Sequence, residues 1–309
     1  MATGTAILEV FYQAAGQFVP ADDLAKRVKV TPHSITSEIG ELEKLGYTIE
    51  AHPHLGYRLL DTPDRLTADD IRARLSAGTI GSQILVFEET ASTNDIVAHL
   101  ARSQIAEGLV VFAESQTKGR GRHGRTWISP RGKGLWFSVL LRPQFPLPRI
   151  TVAASVAVAR VVRELGLDAR IKWPNDVTVN GRKLAGILTE ASYGNAILGV
   201  GLNVNCQTEE IPADIATSML IETGQPQDRV ALAANLLSAI GKCYQADFDS
   251  VVAEWAQLST TLGRQLVVTM GARRIEGQAQ ALDGDGALLL RLDNGQIERI
   301  LGADVTVEK

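Results

Sequence analysis

A segment rich in glycine and arginine carries the residue types that bind anions. It reads Gln116-Thr117-Lys118-Gly119-Arg120-Gly121-Arg122-His123-Gly124-Arg125-Thr126-Trp127 and follows an apolar run at residues 109–113. Glycine lets the backbone approach a ligand closely, and clustered cations repel each other unless anions lie among them. The segment therefore predicts binding of a small anion; a solvated basic loop and an arginine-glycine RNA-binding tract are the alternatives. Trp127 suits either core packing or stacking on a nucleobase.

Two further segments place cations and amides beside apolar runs. Lys172-Trp173-Pro174-Asn175-Asp176 suits ATP chemistry, because the lysine can meet a phosphate and the aspartate can hold a hydrated Mg²⁺. Lys183 precedes an apolar run, where it is either directed into a partly desolvated site or a surface lysine. The segment Gly199-Val200-Gly201-Leu202-Asn203-Val204-Asn205 ends an apolar strand with two amides that can read a base edge or cap a turn.

Alternating strand and helix patterns must position these segments. Strand-like runs at residues 84–87, 109–113, 135–141, 187–190 and 196–203 alternate with helical patterns at 94–101 and 151–165. After Gly263 the pattern changes to short strands separated by turns. Asp293-Asn294-Gly295 predicts a hairpin between residues 288–292 and 296–301. The chain therefore predicts an α/β region followed by a small β barrel.

The first 60 residues predict a winged helix-turn-helix. Two short helical patterns precede a longer one that starts at Thr31-Pro32 and ends at Gly46, and two strand patterns flank His52-Pro53-His54. The third helix offers small polar groups to a DNA groove at His33, Ser34, Thr36 and Ser37. This region holds five cations and seven carboxylates, whereas DNA binding relies on cations that meet phosphates. A module for packing or protein contact is the alternative to DNA binding.

Residues 61–69 read as a linker, followed by a short helix near residues 68–77. The expected domains are a DNA-binding domain at 1–62, a linker with a short helix at 63–80, a catalytic domain at 81–262 and a β barrel at 263–309. The chain shows no apolar stretch of the length that a membrane span needs and no signal-peptide pattern. With Cys206 and Cys243 too far apart for a zinc site or a disulfide framework, a reducing cytoplasm is the expected location.

The charge distribution is uneven. Residues 115–163 contain ten cations and no carboxylate, although the whole chain has a net charge of −4, so the remainder carries −14. The cations of the glycine-rich segment are expected to serve a ligand, and the later arginines of the block are expected to face solvent. A general nucleic-acid binder that uses this block is a further alternative, and it predicts salt-sensitive binding without any small ligand.

The ordered series of segments resembles the motifs of biotin protein ligases. The resemblance rests on Ala91-Ser92-Thr93-Asn94, residues 119–127, Lys172-Trp173-Pro174-Asn175-Asp176, residues 183–188 and residues 199–205. With the winged helix in front and the β barrel behind, it covers nearly the whole chain and points to the bifunctional bacterial form, ligase and biotin operon repressor in one polypeptide. It implies an α+β multidomain fold, with a class II synthetase-like catalytic domain built on a mixed sheet and an SH3-like C-terminal barrel.

The resemblance also implies a reaction and its residues. Biotin and ATP, with Mg²⁺, would give biotinyl-5'-AMP, and a lysine of the biotin carboxyl carrier protein of acetyl-CoA carboxylase would then take the biotinyl group. By motif match, the catalytic residues would be Lys183, Arg122 and Arg120. Biotin would be bound by Ser92, Thr93, Asn94, Gln116, Arg120, Gly121, Arg122, Lys183 and Gly186. ATP and the adenylate would be bound by Arg120, Arg122, Trp127, Lys172, Asn175, Lys183 and Asn203, and Mg²⁺ by Asp176.

The implied regulation depends on the adenylate. In the family, biotinyl-5'-AMP is also a corepressor that promotes a homodimer able to bind the biotin operator. Two alternatives remain within this resemblance: a biotin ligase whose N-terminal domain has lost operator binding, and a lipoate-type acyl ligase on the related catalytic fold.

Overall fold

The computed structural model describes residues 3–76, 78–270, 273–301 and 304–307. The chain divides into two compact units, the first formed by Met1–Ser76 with Asp228–Ala234 and the second by Ala77–Gln227 with Asn235–Lys309. Ala77, where the short helix is expected to end, lies outside the described residues.

The first unit is a winged helix-turn-helix, as the sequence predicts. Its elements are α1 (Thr3–Gln13), α2 (Ala21–Val28), α3 (Pro32–Lys44), and the antiparallel strands β1 (Thr48–His52) and β2 (Gly56–Asp61). The Thr31 hydroxyl caps α3 by accepting a hydrogen bond from the Ser34 backbone N–H. Ile7, Leu24 and Ile35, one from each helix, are fully buried and form the centre of the core.

The segment expected to be a linker is packed into this unit. Leu66 is 4% exposed, and Asp64 forms an ion pair with the buried Arg229. The short helix α4 (Ala68–Arg74) follows, and its Asp70 is fully buried, where it accepts hydrogen bonds from two tyrosine hydroxyls. A buried carboxylate needs such partners, so residues 63–76 are an integral part of the first unit rather than a free connection.

The second unit is built around a seven-stranded mixed sheet. Its spatial order is β3 (Gln83–Phe87), β4 (Leu109–Ala113), β5 (Gly134–Leu141), β9 (Asn195–Asn203), β8 (Arg182–Ser192), β7 (Asp176–Val179) and β6 (Arg170–Lys172). Strands β3 and β4 are parallel, and the other pairs are antiparallel. The five strands predicted from the sequence are all present. The strands β6 and β7, which are three and four residues long, were not predicted.

Five helices accompany this sheet. They are α5 (Thr93–Leu100), α6 (Leu147–Glu164), α7 (Met219–Thr223), α8 (Arg229–Gln245), whose first residues belong to the first unit, and α9 (Phe248–Leu258). Helices α5 and α6 match the predicted patterns. The other three were not predicted. None of these helices, nor any other in the described parts of the chain, is long and apolar enough to cross a membrane.

Arg131, Arg142 and Arg163, which follow the glycine-rich segment, are exposed to solvent as expected, but several arginines of this block also have partners in the protein. Arg131 lies 2.6 Å from Glu88, and Arg160 lies 2.6 Å from Glu254. Arg142 donates to the Ile105 carbonyl at 2.7 Å. Carboxylates that lie elsewhere in the sequence therefore offset part of the positive charge of the acid-free stretch.

The C-terminal residues of the second unit form a five-stranded antiparallel sheet. Its spatial order is β13 (Ile297–Ile300), β12 (Leu288–Arg291), β11 (Arg273–Leu282), β10 (Gln265–Met270) and β14 (Asp304–Val307). The predicted hairpin at Asn294-Gly295 joins β12 to β13. The Trp173 backbone N–H donates to the hydroxyl of Thr261 at 2.9 Å. This hydrogen bond links the segment just before the sheet to the Lys172–Asp176 motif.

Candidate active site

A cavity of ≈ 580 Å³ in the second unit brings the predicted ligand-binding residues together. This volume suits a small organic ligand. All of the residues that the sequence assigned to biotin, ATP or Mg²⁺ line it: Ser92, Thr93, Asn94, Gln116, Arg120, Gly121, Arg122, Trp127, Lys172, Asn175, Asp176, Lys183, Gly186 and Asn203. Residues that are up to 111 positions apart in the chain therefore share one site, and their individual roles remain predictions.

One end of the cavity is a network of uncharged hydrogen-bonding groups. Gln116 Oε1 accepts from the Thr93 N–H at 2.9 Å and from the Thr93 hydroxyl at 3.2 Å, while Gln116 Nε2 donates to Ser129 at 2.9 Å. The Ser138 hydroxyl lies 2.7 Å from that of Thr93 and donates to Asn94 Oδ1 at 2.5 Å. These contacts fix the side chains before a ligand arrives, so this end is prepared for a neutral polar group.

The first arginine of the glycine-rich segment is held by two carboxylates of the protein. Arg120 Nη1 lies 2.7 Å from Asp95 Oδ1, and Arg120 Nη2 lies 3.2 Å from Glu190 Oε2. Glu190 also accepts from Asn94 Nδ2 at 2.5 Å, which links the arginine to the polar end of the cavity. The sequence argument that these cations require a bound anion therefore does not hold for Arg120, because the fold itself supplies anions to it.

The rest of the glycine-rich segment folds back as a tight turn. The Gly121 N–H donates to the Arg125 carbonyl at 2.7 Å, and the Trp127 N–H donates to the Gly119 carbonyl at 2.9 Å. His123 occupies the left-handed region with φ of 54°, where residues other than glycine are uncommon. The turn directs the half-buried Arg122 into the lining of the cavity.

The other end of the cavity holds a lysine between a carboxylate and an indole ring. Lys183 Nζ lies 2.6 Å from Asp176 Oδ1 and 5.1 Å from the centroid of the Trp127 ring. Strand pairing produces this contact, since Lys183 on β8 is opposite Thr178 on β7, next to an irregularity in the register. A half-buried ammonium beside a single carboxylate can exchange that partner for an anionic ligand.

Asp176 is also the candidate ligand for a magnesium ion. Within the described ranges, no group of three or more His, Cys, Asp or Glu side chains could hold a metal. Magnesium bound with a nucleotide commonly takes only one or two protein carboxylates and completes its shell with phosphates and water. Asp176, which lines the cavity, therefore fits a metal that arrives with ATP, and not a resident metal.

The ring of Trp127 packs against two glycines, Gly186 on β8 and Gly201 on β9. A Cβ atom added at Gly201 would lie 2.5 Å from the Trp127 ring, and one added at Gly186 would lie 2.9 Å from it. Both are closer than side chains normally pack, so glycine is required at each position. The ring also contacts Trp136 edge-on at a centroid distance of 6.2 Å. Trp127 is thus both packed against the sheet and part of the cavity wall.

The two amides assigned to the nucleotide also hold the backbone. Asn203 Nδ2 donates to the Thr217 carbonyl, and Asn175 Nδ2 donates to the Ile187 carbonyl, each at 2.9 Å. One N–H of each amide is thereby occupied, so a ligand could contact the amide oxygen or the second N–H. Lys172, in contrast, is exposed at the cavity.

Sequence reasoning missed three residues of the site. Ser138 is the one polar residue within the apolar strand Gly134–Leu141, which was an available signal. Asp95 follows the Ser-Thr-Asn motif directly, and Glu190 ends a predicted strand, but nothing local indicated that both would face Arg120. Their partners are 25 and 70 positions away in the chain.

The residues assigned to DNA lie in the first unit. His33, Thr36 and Ser37 are exposed on α3, whereas Ser34 is half-buried and takes part in the N-terminal cap. Three of the four are thus available to a partner.

Comparison with known proteins identifies the family. The "Bifunctional ligase/repressor BirA" of Bacillus subtilis is 33% identical over 315 residues, which cover 97% of each chain. The "Biotin--[acetyl-CoA-carboxylase] ligase" of Mycobacterium tuberculosis is 35% identical over 229 residues, or 70% of this chain and 86% of that protein. This chain belongs to the biotin protein ligase family.

Family profiles and a solved structure support the assignment of this ligase to the family. The "Biotin/lipoate A/B protein ligase family" profile matches residues 86–206, the "Biotin protein ligase C terminal domain" profile residues 261–307, and the "HTH domain" profile residues 5–58. The biotin protein ligase from Aquifex aeolicus in complex with biotin and ATP superposes with a TM-score of 0.65 at 29% identity. That comparison covers 74% of this chain and 99% of the other.

Proposed function

We propose that this ligase uses ATP to convert biotin to biotinyl-5'-AMP and then transfers biotin to a lysine of the biotin carboxyl carrier protein of acetyl-CoA carboxylase. The observation that carries this proposal is the division of one cavity into a neutral hydrogen-bonding end around Thr93 and Gln116 and a charged end around Lys183. Biotin has the matching chemistry, because it carries a neutral ureido group at one end and a carboxylate at the other.

The charged end suits the first step. A biotin carboxylate oxygen forms a bond to the α-phosphorus of ATP as the bond to the pyrophosphate oxygen breaks. Lys183 would hold the carboxylate, and Arg122 would stabilise negative charge that develops on the phosphate. Asp176 would hold the Mg²⁺ that accompanies ATP, which offsets the charge of the phosphates. Trp127 would stack near adenine, and Lys172, Asn175 and Asn203 would complete the nucleotide side.

The second step needs no nucleophile from this chain. The acceptor lysine amine attacks the biotinyl carbonyl, and AMP leaves with the electrons of the broken carbon–oxygen bond. A mixed anhydride hydrolyses readily, so the glycine-rich segment must cover it and exclude water. The tight turn around Gly121 and Arg122 places the segment at the cavity where such a cover is needed.

Incubation with biotin, Mg²⁺ and ATP labelled at the α-phosphate tests the proposal. We expect labelled biotinyl-5'-AMP, and release of labelled AMP when a biotin carboxyl carrier protein is added. The matched reaction with lipoate separates the leading proposal from a lipoate-type ligase, and equal adenylate from both acids would contradict it.

We also propose that the first unit binds operator DNA when the adenylate is bound, as a homodimer. The support is the winged-helix fold with an exposed polar face on α3, together with relatives that are bifunctional ligase/repressors. The excess of carboxylates in the first 60 residues favours a ligase without operator binding as the second candidate. Because ATP and free thiols are typical of the cytoplasm, we propose that location.

A further inference from the structure

A buried carboxylate outside every motif joins the elements behind the charged end of the cavity. Glu222 lies on α7, and its side chain is 5% exposed. It accepts hydrogen bonds from the Thr217 hydroxyl at 2.6 Å, Arg182 Nη2 at 2.8 Å and Asn180 Nδ2 at 2.7 Å. The three donors come from the turn before β8, from the start of β8 and from the segment before α7. Such full satisfaction is what a buried charge requires to be stable.

The Thr217 contact extends to two residues of the proposed nucleotide site. The Thr217 N–H donates to the Lys183 carbonyl at 2.9 Å, and the Thr217 carbonyl accepts from Asn203 Nδ2 at 2.9 Å. The Lys183 N–H in turn donates to the Ile215 carbonyl at 2.9 Å. Thr217 is fully buried, so its hydroxyl has no water to replace Glu222. The position of this one segment therefore fixes the backbone of Lys183 and the side chain of Asn203.

The contact between Glu222 and Arg182 gives two neighbouring cations, Arg182 and Lys183, different carboxylate partners. Successive side chains of a strand point to opposite faces, and Arg182 pairs with Glu222 while Lys183 pairs with Asp176. Without Glu222, the half-buried Arg182 would lose its carboxylate partner. The pairing thus helps to hold β8 in the orientation that directs Lys183, and not Arg182, into the cavity.

We propose that Glu222 is a positioning residue for adenylation, acting through Thr217 on Lys183 and Asn203 without contacting substrate. This inference rests on the proposed function. It assigns the larger effect to the nucleotide side, because Asn203 is proposed to contact the nucleotide alone and the Thr93–Gln116 network at the other end of the cavity has no part in these contacts.

The decisive variant is Thr217→Val, which removes the hydroxyl and keeps the shape of the side chain. We expect a weaker Kd for α,β-methylene-ATP and a higher KM for ATP, each by at least about fivefold. The KM for biotin should rise by less, because Lys183 shifts but the Thr93–Gln116 network still holds the ureido end. Thr151→Val is the matched control, since it also removes one hydrogen bond of a threonine hydroxyl in the second unit, here with the hydroxyl of Thr189, and should leave all three values unchanged.

Variants of Glu222 should weaken nucleotide binding to different extents. Glu222→Gln should have a smaller effect than Glu222→Ala: its amide oxygen can still accept from Thr217 and Arg182 while the Asn180 amide turns to accept, although Arg182 loses a charged partner. Glu222→Ala should exceed the effect of Thr217→Val, whereas Glu254→Ala, which breaks a partly exposed ion pair on α9, should have none. An unchanged Kd for the ATP analogue in folded Thr217→Val, or equal losses for biotin and ATP, would overturn the proposal. Wild-type protein that binds the analogue but forms no biotinyl-5'-AMP would instead refute the proposed function.

Discussion

At the scale of single residues, the cavity keeps its cations in defined pairs before a ligand binds. Lys183 is paired with Asp176, and Arg120 is paired with Asp95 and Glu190. A ligand anion must replace or join the partner of Lys183, whereas the two carboxylates around Arg120 already balance its charge. We therefore expect Arg120 to anchor the glycine-rich segment, and Arg122, which lines the cavity, to contact the phosphate of the adenylate.

Arg122→Ala tests this division. The variant should release biotinyl-5'-AMP about tenfold faster than wild type, because a charge-assisted contact to the phosphate is lost. The amount of labelled adenylate that stays with the protein through gel filtration measures the effect. Arg131→Ala, which breaks an exposed ion pair with Glu88, is the control and should retain the adenylate. Unchanged retention in Arg122→Ala would show that this side chain does not cover the intermediate.

The two cysteines should be unreactive in the folded protein. Burial raises the pKa of the Cys206 thiol to about 12, and burial likewise raises the pKa of Cys243. Thiolate is the reactive form, so both groups stay protonated as the pH rises well past about 8. Iodoacetamide followed by mass spectrometry should find no labelled cysteine and full ligase activity in native protein, and two labelled cysteines in guanidinium. Rapid native labelling with loss of activity would contradict the proposal that no cysteine takes part.

At the scale of elements, two glycines on one face of strand β9 contact residues at both ends of the cavity. A Cβ atom added at Gly199 would lie 2.4 Å from Asn94 Oδ1, and one added at Gly201 would lie 2.5 Å from the Trp127 ring. Residues two positions apart in a strand share a face. The strand therefore supports the polar network with one glycine and the indole with the next.

Substitution of these glycines should separate the two substrates. Gly199→Ala should raise the KM for biotin, and Gly201→Ala the KM for ATP, each by about tenfold, because Asn94 or Trp127 must move. Steady-state adenylation kinetics measure both constants for each variant. Gly284→Ala is the control, since a Cβ atom there meets nothing within 4 Å. If both variants raised the same KM, the assignment of the two ends of the cavity would be wrong.

At the scale of the whole molecule, the ligase and DNA-binding roles occupy different compact units and should be separable by substitution. Ser37→Glu adds negative charge on the exposed face of α3, and we expect it to abolish the retardation of an operator fragment in a gel. Biotinyl-5'-AMP formation should not change. Wild type should retard the fragment only with biotin and ATP present.

Ser103→Glu is the matched control for that experiment. It makes the same change at an exposed position of the second unit and should leave retardation intact. Absence of retardation by wild type at low salt would favour the second candidate, a ligase without operator binding.

The sequence by itself determined the fold class, the family and many of the residues that line the cavity. Winged-helix caps, strand patterns and ordered motifs are local features, so they can be read without knowing what each residue contacts. Around the seven-stranded sheet, the elements that escaped prediction were the strands β6 and β7 and the helices α7, α8 and α9.

Only the tertiary structure decided which charges meet. Arg120 and Glu190 are separated by 70 positions, Arg160 and Glu254 by 94, yet each pair is in contact. From the sequence pattern and composition, Arg120 was expected to contact a ligand and Arg160 to face solvent. Glu222 likewise belongs to no motif and gains its role from three donors that folding brings to one buried carboxylate. Ion pairing and desolvation depend on distance in space, which the order of residues along a chain does not contain.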